Sequence, residues 1–340
     1  MERLVKEFKI LAKKKIFWPL IALLVILLFN VLFTPLFLHI EMKNGHLFGT
    51  LIDILSRGTP LIIISLGMTL VIATAGIDIS VGAVVAISAA VASILLKSSN
   101  NIVTALVVAL LVSAICGAWN GLLVSRIGVQ PMVGTLILFT VGRGIAQLIS
   151  NGKIINVTNS SYEFIGGVAC PILPFSVFIG LFVIVIMQLL MRKTSLGLFV
   201  EAVGSNGNSS RFSGINSKNV IFIVYVICGL LAGIAGIIIS SNVRGADANN
   251  AGLLIELDAI LAVIIGGTSM SGGRFYLGGT IVGALFIQTL TTTIYSLGIA
   301  PEVTQLVKAI VVIAVCLIQS TEFRNIFSKK TYVTKKVAEL

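Results

Sequence analysis

The sequence predicts an all-α polytopic membrane protein with about ten transmembrane helices. Three observations carry that expectation. Hydrophobic residues make up 57% of the 340 and charged residues 11%, where a soluble domain carries about 25% charged; mean hydropathy is +1.08. Apolar runs recur at the length a bilayer span needs, about 20 residues. Lysine and arginine are distributed unevenly between the polar stretches that separate those runs.

The runs fall at 16–38, 58–76, 80–96, 102–125, 131–150, 173–191, 219–241, 257–270, 275–295 and 303–319. The first follows a basic start, Met1 to Lys15, and so resembles a signal peptide. Its apolar part is too long for one and no small-x-small site follows, so it reads as an uncleaved span. No stretch suits a separate soluble domain. Residues 1–15 read as a cytoplasmic N-terminus, 16–320 as one membrane domain and 321–340 as a cytoplasmic tail. On this topology seventeen of the 24 Lys and Arg lie on the inner side and five on the outer, which is the positive-inside bias. The net charge of +11 then reads as topology and contact with anionic membrane lipid. Nucleic acid is not implied, because no aromatic residues interleave with the basic ones.

Motifs for chemistry are missing. There is no GxxxxGK[ST], so the chain has no ATPase site of its own, and no HExxH, GxSxG or GxGxxG. Cys116, Cys228 and Cys316 fall in spans and Cys170 at an outer edge, without a CxxC pair. His39 and His46 flank Glu41, but nothing completes a metal ligand set, and interfacial anchoring is the reading preferred. Gly117-x-x-x-Gly121, Gly229-x-x-x-Gly233 and Gly279-x-x-x-Gly283 are small-xxx-small patterns that let helices approach closely.

Polar residues within or beside spans are candidates for function, since they are costly in lipid. The densest stretch runs from Val243 to Gly279. It holds Arg244, Asp247, Asn249 and Asn250, then Glu256 and Asp258 at the start of an apolar run, then a Gly-rich turn. Asp247, Asn249, Asn250, Glu256 and Asp258 are expected to shape an outer mouth or a solute path; alternatively Asp247 pairs with Arg244 and merely shapes the loop. Asp78, between Gly76 and Gly82, either lines a path or lies in a short cytoplasmic turn where Asp78 or Ser80 caps the next helix. Asn120 glues helices or faces a path. Arg143, followed by Gln147, either snorkels or pairs with a carboxylate. The loop 192–218 is the longest on the inner side. Asn206 or Asn208 is placed to cap a short helix and Gly214 to end it, which presents Arg211 and Phe212 to a cytoplasmic partner.

Residues Gly67 to Gly82, the loop Glu201-Ala-Val-Gly204-x-Asn206 with Ser213-Gly214-Ile215, and Ile264 to Arg274 resemble the signature of ribose- and galactose-type ABC sugar permeases. Trp119 to Gly121, Gly142 to Ile149 and Arg244 to Leu253 look most like the galactofuranose-type permease. The resemblance runs from about Leu47 to Ser320. It implies a type II, vitamin-B12-importer-like fold in the bacterial cytoplasmic membrane and a pairing with an identical or sibling permease. It also implies an extracytoplasmic sugar-binding protein and a cytoplasmic ABC ATPase that carries the ATP-Mg, with no cofactor on this chain. Glu201, Gly204, Asn206, Arg211, Phe212, Ser213 and Gly214 would form the coupling surface. Ser209 and Ser210 depart from the family's usual alanines there. The rival is a stand-alone secondary transporter or channel, which would need ion-coupling carboxylates deep in the bilayer.

Overall fold

The computed structural model describes residues 16–43, 46–167 and 173–319. The expected basic N-terminus, the C-terminal tail and Cys170 lie outside these residues. Among the described residues the architecture is helical. Seven helices are long and apolar enough to cross a membrane: α2 (Thr50–Ala73), α3 (Val81–Ser99), α4 (Ile102–Leu122, extended by a π turn to Ile127), α5 (Pro131–Ser150), α7 (Phe175–Lys193), α10 (Ser217–Asn242) and α12 (Leu277–Ser296). Apolar α1 (Phe17–Phe33) and α13 (Pro301–Gln319) and the short α11 (Ile255–Ile265) stand at the remaining predicted runs. Three helices lie between runs: α6 (Ser160–Gly166), α8 (Ser195–Ser205) and α9 (Gly207–Phe212). Short strands β1 (Glu41–Lys43) and β2 (His46–Phe48) pair antiparallel, as do β3 (Ile155–Asn156) and β4 (Gly245–Ala246).

Three boundaries differ most from the sequence reading. The first helix ends at Phe33 rather than 38. The second helix begins at Thr50 rather than 58, because Asp53, Ser56 and Arg57 interrupt the apolar run without interrupting the backbone. The eighth run, expected at 257–270, yields only Ile255–Ile265.

The core forms around α2, whose Ile63, Ile64, Met68 and Leu70 are fully buried. Helix α10 packs against α2, α3 and α4, and α12 against α1, α2 and α11. The glycine patterns form two of these crossings. A Cβ at Gly229 would stand 2.8 Å from Gly117 Cα, and one at Gly283 would stand 2.1 Å from the Ala262 carbonyl. In lipid there is little hydrophobic gain from helix association, so such close backbone approach supplies the packing energy. A polar tie adds to it: buried Asn30 donates to Thr293 Oγ1 at 2.7 Å, joining α1 to α12. Asparagine also starts helices, since Asn101 caps α4 and Asn216 caps α10 through side-chain oxygens.

Candidate functional site

The polar stretch after β4 does not stay at the surface. Asp247 opens it with a side-chain turn: Oδ1 accepts from the amide of Asn249 at 3.0 Å, and Oδ2 accepts from Asn250 Nδ2 at 2.7 Å. Hydrogen bonding from the Asn250 side chain holds this carboxyl below the usual range, so it is ionised at neutral pH. The chain then runs down beside the first turns of α3. Gly252, at φ +61, has no room for a Cβ, which would meet Val85 at 2.7 Å. Helix α11 starts there with Glu256 and Asp258 in its first turn, where the helix dipole favours negative charge.

Arg143 holds the loop at this depth. It lies on α5, about 10 Å from that helix's end at Ser150. Its Nη1 donates to the Ala251 carbonyl at 2.6 Å and its Nη2 to the Gly252 carbonyl at 2.9 Å. Irregular backbone inside a membrane protein needs such donors. Glu256, 2% exposed, comes close to the same guanidinium: a Cβ at Gly82 would be 2.2 Å from Glu256 Oε2 and 3.3 Å from Arg143 Nη2. Among the described residues Glu256 Oε2 and Arg143 Nε have no hydrogen-bond partner. One turn closer to Ser150, Gln147 Nε2 donates to Asn249 Oδ1 at 2.7 Å, and both residues are exposed. Thr140 is exposed and Gly144 faces open space. With Gln147 they make a polar stripe at helical spacing on an otherwise apolar surface.

A second polar layer lies about 12 Å further down α5. Thr135 Oγ1 accepts there from the Ile79 amide at 3.2 Å. Next to it Asp78, 2% exposed, accepts from Ser80 N at 2.9 Å, Ser80 Oγ at 2.7 Å and Asn120 Nδ2 at 3.3 Å. This network is sealed among α3, α4 and α10.

The third cluster sits where α2, α8 and the turn after α11 meet. A Cβ at Gly204 would be 1.8 Å from the Ala73 carbonyl, and the Gly273 amide donates to that carbonyl at 2.9 Å. Beyond it Asn206 Oδ1 caps α9 by accepting from the Asn208 and Ser209 amides, and Gly214 ends it at φ +84. Phe212 is 94% exposed. Arg211 and Ser213 are exposed beside it, whereas Glu201 is half-buried in α8.

A family model described as the permease component of the branched-chain amino acid transport system matches residues 50–316. The chain belongs to that family. Similar proteins include the galactofuranose transporter permease protein of Escherichia coli strain K12, 46% identical over 92% of this chain and 93% of its own. The fructose import permease protein of Bifidobacterium longum strain NCC 2705 is 37% identical over 94% and 91%. The ribose import permease protein of Escherichia coli strain K12 is 35% identical over 88% and 92%. No solved structure matches the chain. As a permease component it moves solute and is not itself the enzyme; ATP hydrolysis belongs to a separate subunit.

The permease brings Arg143, Gln147, Asp247, Asn249, Asn250 and Glu256 together. Asp258 is apart from them: its Oδ2 meets Lys308 Nζ at 2.8 Å. Arg244 pairs with Glu163 at 3.3 Å, not with Asp247. Glu201 and Gly204 lie in α8, outside the exposed helix α9, which starts after Asn206 and ends before Gly214. Sequence reading missed Lys308 and Glu163 as partners. Lys308 carried a signal, because a lysine inside an apolar span needs an acidic neighbour. His39 Nε2 meets Glu41 Oε1 at 2.9 Å, and no metal-binding group of His, Cys, Asp and Glu forms among the described residues.

Proposed function

We propose that this chain is the membrane permease subunit of a binding-protein-dependent ABC importer for a monosaccharide, of galactofuranose type. The observation that carries the reading is the 46% identity to a galactofuranose permease across 92% of the chain. The loop cluster supports it. Amides, a carboxylate and a guanidinium present both donors and acceptors, which hydroxyl groups require.

In this reading the membrane domain, 16–320, has ten spans in the type II arrangement, with α11 and the loop before it serving as the eighth. Both termini face the cytoplasm, as do the tails 1–15 and 321–340. Gln147, Asp247, Asn249 and Asn250 face the solute. Arg143 and Glu256 build the loop that presents them. Asp258, Asp78 and Asn120 keep the helices around the path in place. Two permeases pair, an extracytoplasmic binding protein delivers sugar, and α9 takes its drive from a cytoplasmic ATPase that binds ATP-Mg.

The test is uptake of labelled galactose by the assembled transporter, competed by a panel of pentoses and hexoses in both ring forms. Galactofuranose-type sugars are expected to compete best and an inactive ATPase to abolish uptake. Full uptake with the inactive ATPase, or competition only by non-sugars, overturns the reading.

A further inference from the structure

We propose that a cavity on the outer side, between β2, α2, α10 and α12, is a second sugar site, separate from the loop cluster on α5. The proposal rests on the reading that the transported solute is a sugar. The cavity has a volume of about 620 Å³ and is lined by none of Arg143, Gln147 or the 247–252 loop. That volume lies within the range of about 300–1,000 Å³ found for small-molecule sites.

Its chemistry fits a neutral polyhydroxylated ring. Asp53 and Arg57 stand one turn apart on α2 and both are exposed. Among the described residues no ion pair joins them to each other or to anything else. A sugar hydroxyl donates and accepts at once, so a carboxylate and a guanidinium one turn apart can take the two roles. Pro60 lines the same cavity from inside α2. Having no N–H, it leaves the Ser56 carbonyl without its helical donor, one more acceptor at the wall. From the opposite elements come Asn242 and Gln288. The Gln288 amide nitrogen has only a long contact, 3.4 Å to Thr292 Oγ1. Phe48, 53% exposed, supplies an apolar surface suited to the C–H face of a ring. Cavities of this kind, with an apolar wall and a few converging polar groups, are the usual form of a ligand site.

A zwitterion is the competing chemistry, with a carboxylate on Arg57 and an ammonium on Asp53. It would leave the amides and the Ser56 carbonyl unmatched.

The full-length permease is purified in nanodiscs without its binding protein. Binding of D-galactose, D-ribose and L-leucine is then read by saturation-transfer NMR. Galactose or ribose is expected to bind. Asp53→Asn and Arg57→Gln are each expected to weaken that binding about tenfold, as loss of a hydrogen bond to a charged group does. With the loop cluster disabled by Gln147→Ala and Asn249→Ala together, the remaining binding is expected to keep its dependence on Asp53 and Arg57. Both charged positions are exposed, and an unchanged gel-filtration profile confirms folding; Asn242→Ala, on the opposite wall, is the second variant and is expected to weaken binding as well. No sugar binding, leucine bound in preference to sugars, or loss in the Gln147→Ala, Asn249→Ala double variant in place of the α2 variants each overturns the proposal. Sugar uptake by the wild-type transporter, measured in parallel, separates the two readings. Uptake without cavity binding removes this site alone. Absence of uptake removes the proposed function, and the cavity is then judged by sugar binding to the purified permease.

Discussion

Lys308 lies in α13 with 4% of its side chain exposed, and its Nζ meets Asp258 Oδ2 at 2.8 Å. Two charges taken out of water attract strongly, yet much of that gain offsets their desolvation. Removing one partner is the costly change, about 3–5 kcal/mol for a buried pair. Lys308→Met and Asp258→Asn are therefore each expected to lower the yield of folded permease and its melting temperature. The double variant Lys308→Met with Asp258→Leu is expected to recover much of both. If the double variant is as poor as the worse single one, the pair does more than neutralise itself and Asp258 returns to the solute path. Glu256, one position before Leu257 in the same turn, differs. It faces Arg143 near Gly82 and has an oxygen without a hydrogen bond, so its charge serves the loop rather than a helix contact. The two carboxylates look alike in sequence. Only the partners that the fold brings from α5 and α13 separate their roles.

Helix α11 connects two of the polar clusters. Its first turn touches Gly82 and Arg143, and the turn that follows it touches Gly204 and Ala73. A movement of α8 and α9 therefore has a short mechanical route to the loop that carries Asn249. Phe212 is 94% exposed, and in the proposed function it is the surface through which the ATPase drives such a movement; a buried aromatic anchor in a partner groove is worth about 2 kcal/mol or more. Phe212→Ala is expected to insert normally but to lose ATPase association or binding-protein-stimulated turnover, and Arg211→Ala to lose less, since a rim charge mainly alters association. Gly204→Ala, which places a methyl against the Ala73 carbonyl, is expected to keep the ATPase bound while uncoupling turnover from uptake. Normal uptake in both Phe212→Ala and Gly204→Ala would move the coupling route elsewhere. The helices themselves were legible as apolar runs, because lipid leaves little choice of composition. The stop at Gly214 and an asparagine cap at 206 or 208 were legible as well, each with a local geometric reason; the choice of Asn206 was not. The descent of residues 247–254 was not. A polar, Gly-containing stretch has the same composition in water or in a protein-lined cleft, and what decides is a distant Arg143 meeting its carbonyls. The first two turns of α2 were hidden for a related reason: Asp53, Ser56 and Arg57 lower hydropathy but are compatible with a helix.

Across the whole molecule the described polar ends sort into two sets. The β1–β2 hairpin, the β3–β4 pair and the contact of Asn100 with Asn159 lie at one end. The junction of Ala73, Gly204 and Gly273 and the contact of Arg126 with Asn219 lie at the other. In the proposed orientation, which the seventeen-against-five distribution of the 24 basic residues favours, the second set faces the cytoplasm. That orientation makes a direct prediction in intact cells. The four native cysteines are first replaced, and single cysteines are then introduced at Asn156, Asn249, Arg126 and Phe212. A membrane-impermeant maleimide is expected to label positions 156 and 249 from outside, and positions 126 and 212 only after permeabilisation. Position 249 carries a further expectation, because Asn249 is hydrogen-bonded to Gln147 beside the loop held by Arg143. Its labelling should slow when transported sugar is present, while labelling at 156 should not change. Labelling of 212 in sealed cells would invert the topology and place the loop cluster on the cytoplasmic side, where a binding protein outside could not deliver to it.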